Sequence, residues 1–106
     1  MTDPDARLRE LRRRFLEDLP GRVEALAANL SALRAGDAGA AVRAATAAHA
    51  LAGAAGVFDE PRLREAAIAL EDSLRDGADT ATLDTLQADL SAAAQIATTR
   101  PSYEPD

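Results

Sequence analysis

His49 is the only imidazole in the chain, and it stands in the run "AATAAHALAGAAGVFDE" of residues 44–60. Around it nearly every side chain is cut down to Ala or Gly. A solvated imidazole titrates near pH 6.5, so at neutral pH it is mostly uncharged and nucleophilic. It needs an electrophile and room for one to approach. The rest of a catalytic kit is missing. There is no second His, no Cys, no Ser paired with a base at a recognisable nucleophile motif, and no Gly-rich phosphate loop. One His and no Cys argue against zinc, and the absence of Cys excludes disulfides. The pattern suits a chain that presents one nucleophile to something else.

The orientation of that nucleophile follows from helical spacing. Residues 38–55 are predicted to form a helix, with Asp37 as its cap and Gly56 at its end. At about 100° per residue, Ala44, Ala48, Leu51, Ala55 and Phe58 share one stripe, the core face. His49 falls roughly 140° from Ala44 and faces outward. Val42, Ala45, Thr46, Ala52, Gly53 and Gly56 fall on its side. Glycine inside a helix costs about 1 kcal/mol relative to Ala. Gly53, one turn after His49, therefore implies a need for empty space. On spacing alone two readings stand: an ordinary surface histidine on an alanine-rich helix, or a nucleophile kept clear.

The elements around it read as all-α. Ala and Leu dominate, aromatics are only 3% of the 106 residues, and β-branched residues are few. Five helical segments are predicted. The first, at about 4–18, carries Leu8, Leu11, Phe15 and Leu19, and Pro20-Gly21 punctuates it. A second starts there, with Asp18 or Leu19 as its cap, and carries Val23, Leu26, Leu30 and Leu33. Gly36 follows its end. After the His49 helix, Asp59 is expected to cap a fourth, with Pro61 in its first turn and Leu63, Ala67, Leu70 and Leu74 inward. Gly77 lies past its end. The fifth, at about 80–98, turns Leu83, Leu86, Leu90, Ala93 and Ala97 inward. Short connections make neighbouring helices antiparallel. The expected architecture is an up-down-up-down four-helix bundle over about 20–98, flanked by an additional N-terminal helix at 4–18, with a frayed tail at 99–106. Residues 1–106 read as one domain.

Charge and hydropathy narrow the function classes. The net charge of -6 lacks the basic footprint of a nucleic-acid binder. The polar N-terminus has no signal-peptide core, and no run approaches the roughly 20 apolar residues that span a bilayer. A monomeric cytoplasmic protein is expected, with no membrane and no nucleic-acid partner. All twelve cationic side chains are Arg. The run Arg12 to Arg14 reads as a solvated helix face.

Residues 49–58, His-Ala-Leu-Ala-Gly-Ala-Ala-Gly-Val-Phe, resemble the pattern of histidine phosphotransfer (HPt) domains, His-x-Leu-Lys-Gly followed by small residues. Leu70-Glu71 stands where that family has a Leu-Glu pair on the next helix. The likeness extends over nearly the whole chain. It implies a helical bundle that is a phosphocarrier rather than an enzyme. It takes a phosphoryl group from the aspartyl phosphate of one response-regulator receiver domain and passes it to another. The receiver supplies the catalytic Asp residues and the Mg²⁺, so no cofactor of the chain's own is implied. A hybrid histidine kinase is the implied upstream partner. By this likeness His49 is the phospho-acceptor, and Gly53 and Ala52 lie where phosphoryl and receiver need access. Glu71 and Arg75 orient the imidazole or support the phosphate, and Val42, Ala45 and Gly56 border the docking surface. Phe15 belongs either to the core or to that surface.

Two positions depart from the pattern. The family's Lys, three residues after His, is Ala52, which removes a charge that would stabilise the phosphoryl group. Arg75 is the nearest candidate to compensate; Arg43, about 120° around the helix, is poorly placed. The family's later Gly is Asp59. The missing Lys keeps a second function open, a pseudo-HPt module that binds a receiver or kinase without accepting phosphate. A plain helical dimerisation or scaffold domain is the third.

Overall fold

The computed structural model describes residues 3–99. Over that span the chain forms four helices, α1 Pro4–Arg34, α2 Ala40–Val57, α3 Pro61–Arg75 and α4 Thr80–Thr99. Each packs on its neighbours in the chain, and α4 closes the ring against α1. Short turns join them, so consecutive helices alternate in direction. The result is a four-helix bundle, 51 × 24 × 19 Å. The tail residues 100–106 lie outside the described span, whereas Thr99 is still helical.

The additional N-terminal helix does not exist as a separate element. The segments expected at 4–18 and from 20 onward are one 31-residue helix that runs through Pro20. Neither Asp18 nor Leu19 is a cap. Proline in a helix interior removes one hydrogen bond and costs about 3 kcal/mol. Phe15 and Leu19 before it, and Leu26 and Leu30 after it, are all buried on one face. Each such side chain is worth about 1.5–3 kcal/mol when buried. A break at Pro20 would disrupt this continuous stripe, so packing overrides local propensity. The N-terminal turns of α1 overhang the bundle, and Leu8 and Leu11, although on the same stripe, stay exposed.

The overhang is fastened where it leaves the bundle. Phe15 stacks on Phe58 with ring centroids 5.1 Å apart, and the Arg22 guanidinium lies over the same Phe15 ring. Phe15 is therefore core. Beside it, Arg12 donates to the Glu60 carboxylate at 2.7 Å. These contacts tie α1 to the α2–α3 turn.

Three turns end in the same hydrogen-bond pattern. Asp37, Glu60 and Ala78 donate their backbone N–H to Ala32, Ala55 and Ser73, six-to-one, and the residue before each donates five-to-two. The residue at the left-handed position is Gly36, Asp59 and Gly77 in turn, with φ of 97°, 57° and 72°. Asp59 is thus the residue that ends α2 and not the cap of α3. The α3 cap is Glu60, which makes no side-chain cap bond. Asp37 likewise is not the α2 cap; that is Gly39, whose N–H the Asp37 carboxylate accepts at 3.0 Å.

Candidate functional site

Ten of the eighteen residues of helix α2 are Ala, which brings its neighbours close. Ala44, Ala48, Leu51 and Ala55 are fully buried, as the spacing predicts, and Phe58 follows the helix end. The buried arc is wider than that stripe. Ala45 and Ala52 are only 3% and 6% exposed. Their expected outward position is therefore corrected: both face the interior and contribute little surface. The reason is that α2 packs against α1 and α3 together, so residues 40–60° from His49 on one side are covered. The other side stays open. Val42, at 68%, and Gly53 are exposed there, and Gly56, within about 20° of His49 where α3 packs, is exposed too.

His49 itself projects from the bundle with its side chain 74% exposed. Its Nδ1 lies 3.1 Å from both carboxylate oxygens of Glu71 on α3. Glu71 is held in turn by Arg75, whose Nε and Nη2 donate to Oε2 at 2.9 and 2.8 Å. Two residues that only the family likeness had suggested thus join His49 in one hydrogen-bonded row. The Arg75 hydrogen bond first, and the His49 ring second, hold the Glu71 carboxyl below its usual range, against partial desolvation that pushes it up. An ionised carboxylate can only accept. Nδ1 must therefore carry the proton in this pair, and Nε2 of the neutral ring is left with a free lone pair. Glu71, only 12% exposed, is the middle of the row and fixes the ring's orientation.

The space beyond Nε2 is open. A Cβ placed on Gly53 would meet nothing within 4 Å. The absence of a side chain there clears room toward solvent and relieves no clash within the chain. Gly56 differs. A Cβ there would stand 3.3 Å from Cδ and Nε of Arg64, which crosses α2 at that point. Arg64 was not singled out from sequence. The signal was a second glycine inside the helix, and its counterpart eight residues on could not be named without the register of α3. Glu60 was missed too, because its partner Arg12 is 48 positions away.

The sequence of residues 10–98 matches the family model for the Hpt domain. The chain is an Hpt domain. The match takes in all of α2 and α3 and most of α1 and α4. No curated protein and no solved structure matches the chain. Hpt domains serve phosphorelays as carriers. In this Hpt domain, no group of His, Cys, Asp and Glu among the described residues is arranged to hold a metal. No helix among them is long and apolar enough to cross a membrane.

Proposed function

We propose that this Hpt domain relays a phosphoryl group between receiver domains through His49, with Nε2 as the accepting atom. The observation that carries the reading is the Nδ1–Glu71 pair at 3.1 Å beneath an exposed ring. In the forward step the Nε2 lone pair attacks the phosphorus of a partner's aspartyl phosphate. The acyl-phosphate P–O bond breaks, and its electron pair leaves on the Asp carboxylate. Nε2 carries no proton, so none has to be removed. The phosphoimidazolium that forms keeps Nδ1–H on Glu71, whose negative charge offsets the new positive charge on the ring. The onward step is the reverse reaction with a second receiver. Mg²⁺ and the acidic residues that activate the acyl phosphate belong to the receiver. Val42, Gly53 and Gly56 border the approach, and a hybrid histidine kinase supplies the phosphoryl group. The protein acts as a cytoplasmic monomer.

The test is transfer from a phosphorylated receiver domain. Wild type acquires acid-labile phosphate and His49→Gln does not. Labelling that survives the substitution defeats the proposal.

One observation favours a second reading, a module that binds without accepting phosphate. The position of the expected Lys is the small, buried Ala52, and both Arg75 contacts go to Glu71. On that reading calorimetry detects receiver binding, no phosphate is transferred, and His49→Ala leaves affinity unchanged.

A further inference from the structure

Gly56 has no backbone reason to be glycine. It lies inside α2, and only Gly36 and Gly77 among the described glycines have positive φ. An alanine would favour the helix. Its methyl, however, would press on the Arg64 side chain at 3.3 Å. With glycine there, the Arg64 side chain crosses α2 without having to shift.

The place of that crossing follows from the register. His49 meets Glu71 and Gly56 meets Arg64. Each pair is reached by moving seven residues along one of two antiparallel helices. Seven residues are about 10.5 Å of rise and return to within roughly 20° of the same direction. Arg64 therefore lies on the His49 face, about two turns away.

The charges nearby make it distinctive. Arg75 is bound to Glu71, and Arg43 to Asp37 and Asn29. The Arg64 guanidinium makes no ion pair or hydrogen bond with another described residue. Residues 44–58 of the His49 segment carry no charge at all. An open, uncharged face is thus bordered by one guanidinium whose donors are unused. Arginine is weakly hydrated and offers a planar fork to carboxylate or phosphate oxygens.

We infer that Arg64 is the cationic contact for the acidic face of a receiver domain docked over His49. The partner's chemistry rests on the relay reading, since a receiver's phosphorylation site is built from carboxylates. The role is in docking; Arg64 is a positioning residue and touches no reacting atom.

Binding and labelling test the two ideas separately. A panel of purified receiver domains is titrated calorimetrically against the full chain, and the tightest binder is followed at low and high salt. Arg64→Ala weakens binding about tenfold at low salt and flattens the salt dependence. Arg64→Lys restores most of both, and Arg64→Glu weakens binding further. The melting temperature stays within a few degrees. Wild-type affinity and salt dependence in Arg64→Ala, or a panel in which nothing binds wild type, overturns the inference. Phosphate transfer to His49 is scored in parallel. Transfer with no Arg64 effect removes the contact and leaves the relay. Salt-sensitive loss of binding without transfer leaves the contact and removes the relay.

Discussion

Glu60 and Glu71 are two carboxylates on one helix that reach in different directions for different ends. Glu60, at the N-cap of α3, reaches Arg12 on α1 with its side chain only 6% exposed, beside the Phe15–Phe58 stack. Glu71, near the other end, reaches His49 on α2. Both carboxylates are largely covered, so burial of the acid does not separate them. The partner does. Arg12 carries a permanent charge and fastens helix to turn. His49 stands outside the bundle and has a second nitrogen that Glu71 does not engage. A covered carboxylate becomes a fastening or an orienting group according to whether its partner has further chemistry to offer.

The largest expected difference between the regions is in transfer. His49→Gln removes labelling from a phosphorylated receiver altogether while the melting temperature moves by no more than a degree or two, since the ring buries little. A large drop in melting temperature would place His49 with the fastenings. Glu60→Ala reverses the pattern. It leaves Arg12 unpaired but about a third exposed, where water can reach it. A cost of about 1–2 kcal/mol is expected, roughly 5–10 °C in melting temperature, with labelling per folded molecule unchanged. Thermal melts and a transfer assay on the same preparations check both.

Glu71→Gln sharpens the comparison from the other side. The amide oxygen still accepts from Nδ1–H, but the charge that faces the phosphoimidazolium is gone. Transfer slows about tenfold, and stability changes by less than about 0.5 kcal/mol. An unchanged rate would mean that orientation alone matters. The pH dependence has a definite sign. Arg75 first, then His49, lower the Glu71 carboxyl in the folded chain. A lowered carboxylate adds stability above its ordinary value, and that contribution disappears as pH falls through the lower folded value. Arg75→Ala therefore moves the Glu71 titration upward toward the ordinary range, observable in the carbon resonance of its carboxyl. A titration that does not move would separate Arg75 from the row.

Local pattern showed the helical class and much of the core, because apolar spacing repeats along each helix and Gly36, Asp59 and Gly77 mark the turns. Leu63, Ala67, Leu70 and Leu74 lie inward as their spacing implies. What it could not show depends on neighbours. Pro20 reads as a break because the strength of the face it interrupts is set by α2 and α4. Leu8 and Leu11 continue that face correctly, yet remain exposed because no helix extends far enough to cover them. Spacing alone places Ala45 and Ala52 outward, because the width of a buried arc depends on how many helices pack on it. At the site, the outward turn of His49 was legible from spacing. Its link to Glu71 was suggested only by family likeness, since the two are 22 positions apart. Arg64 needed the register between α2 and α3.

The smallest effect concerns the turn that joins those two helices. All three turns share the six-to-one and five-to-two bonds, but two place Gly at the left-handed position and the third places Asp59, at φ 57°. A β-carbon in that region costs roughly 1–2 kcal/mol, and less for Asp, whose short polar side chain tolerates it. Glycine relieves the strain but adds freedom to the unfolded chain. The balance predicts that Asp59→Gly raises stability by about 0.5 kcal/mol, or 2–4 °C, with transfer unchanged. The same reasoning predicts that Gly77→Asp lowers stability by a similar amount. If Asp59→Gly instead destabilises, the carboxylate itself supports the turn next to Glu60. The departure from the family's glycine would then strengthen the fastened end of the molecule, where Arg12 and Phe58 already hold α1.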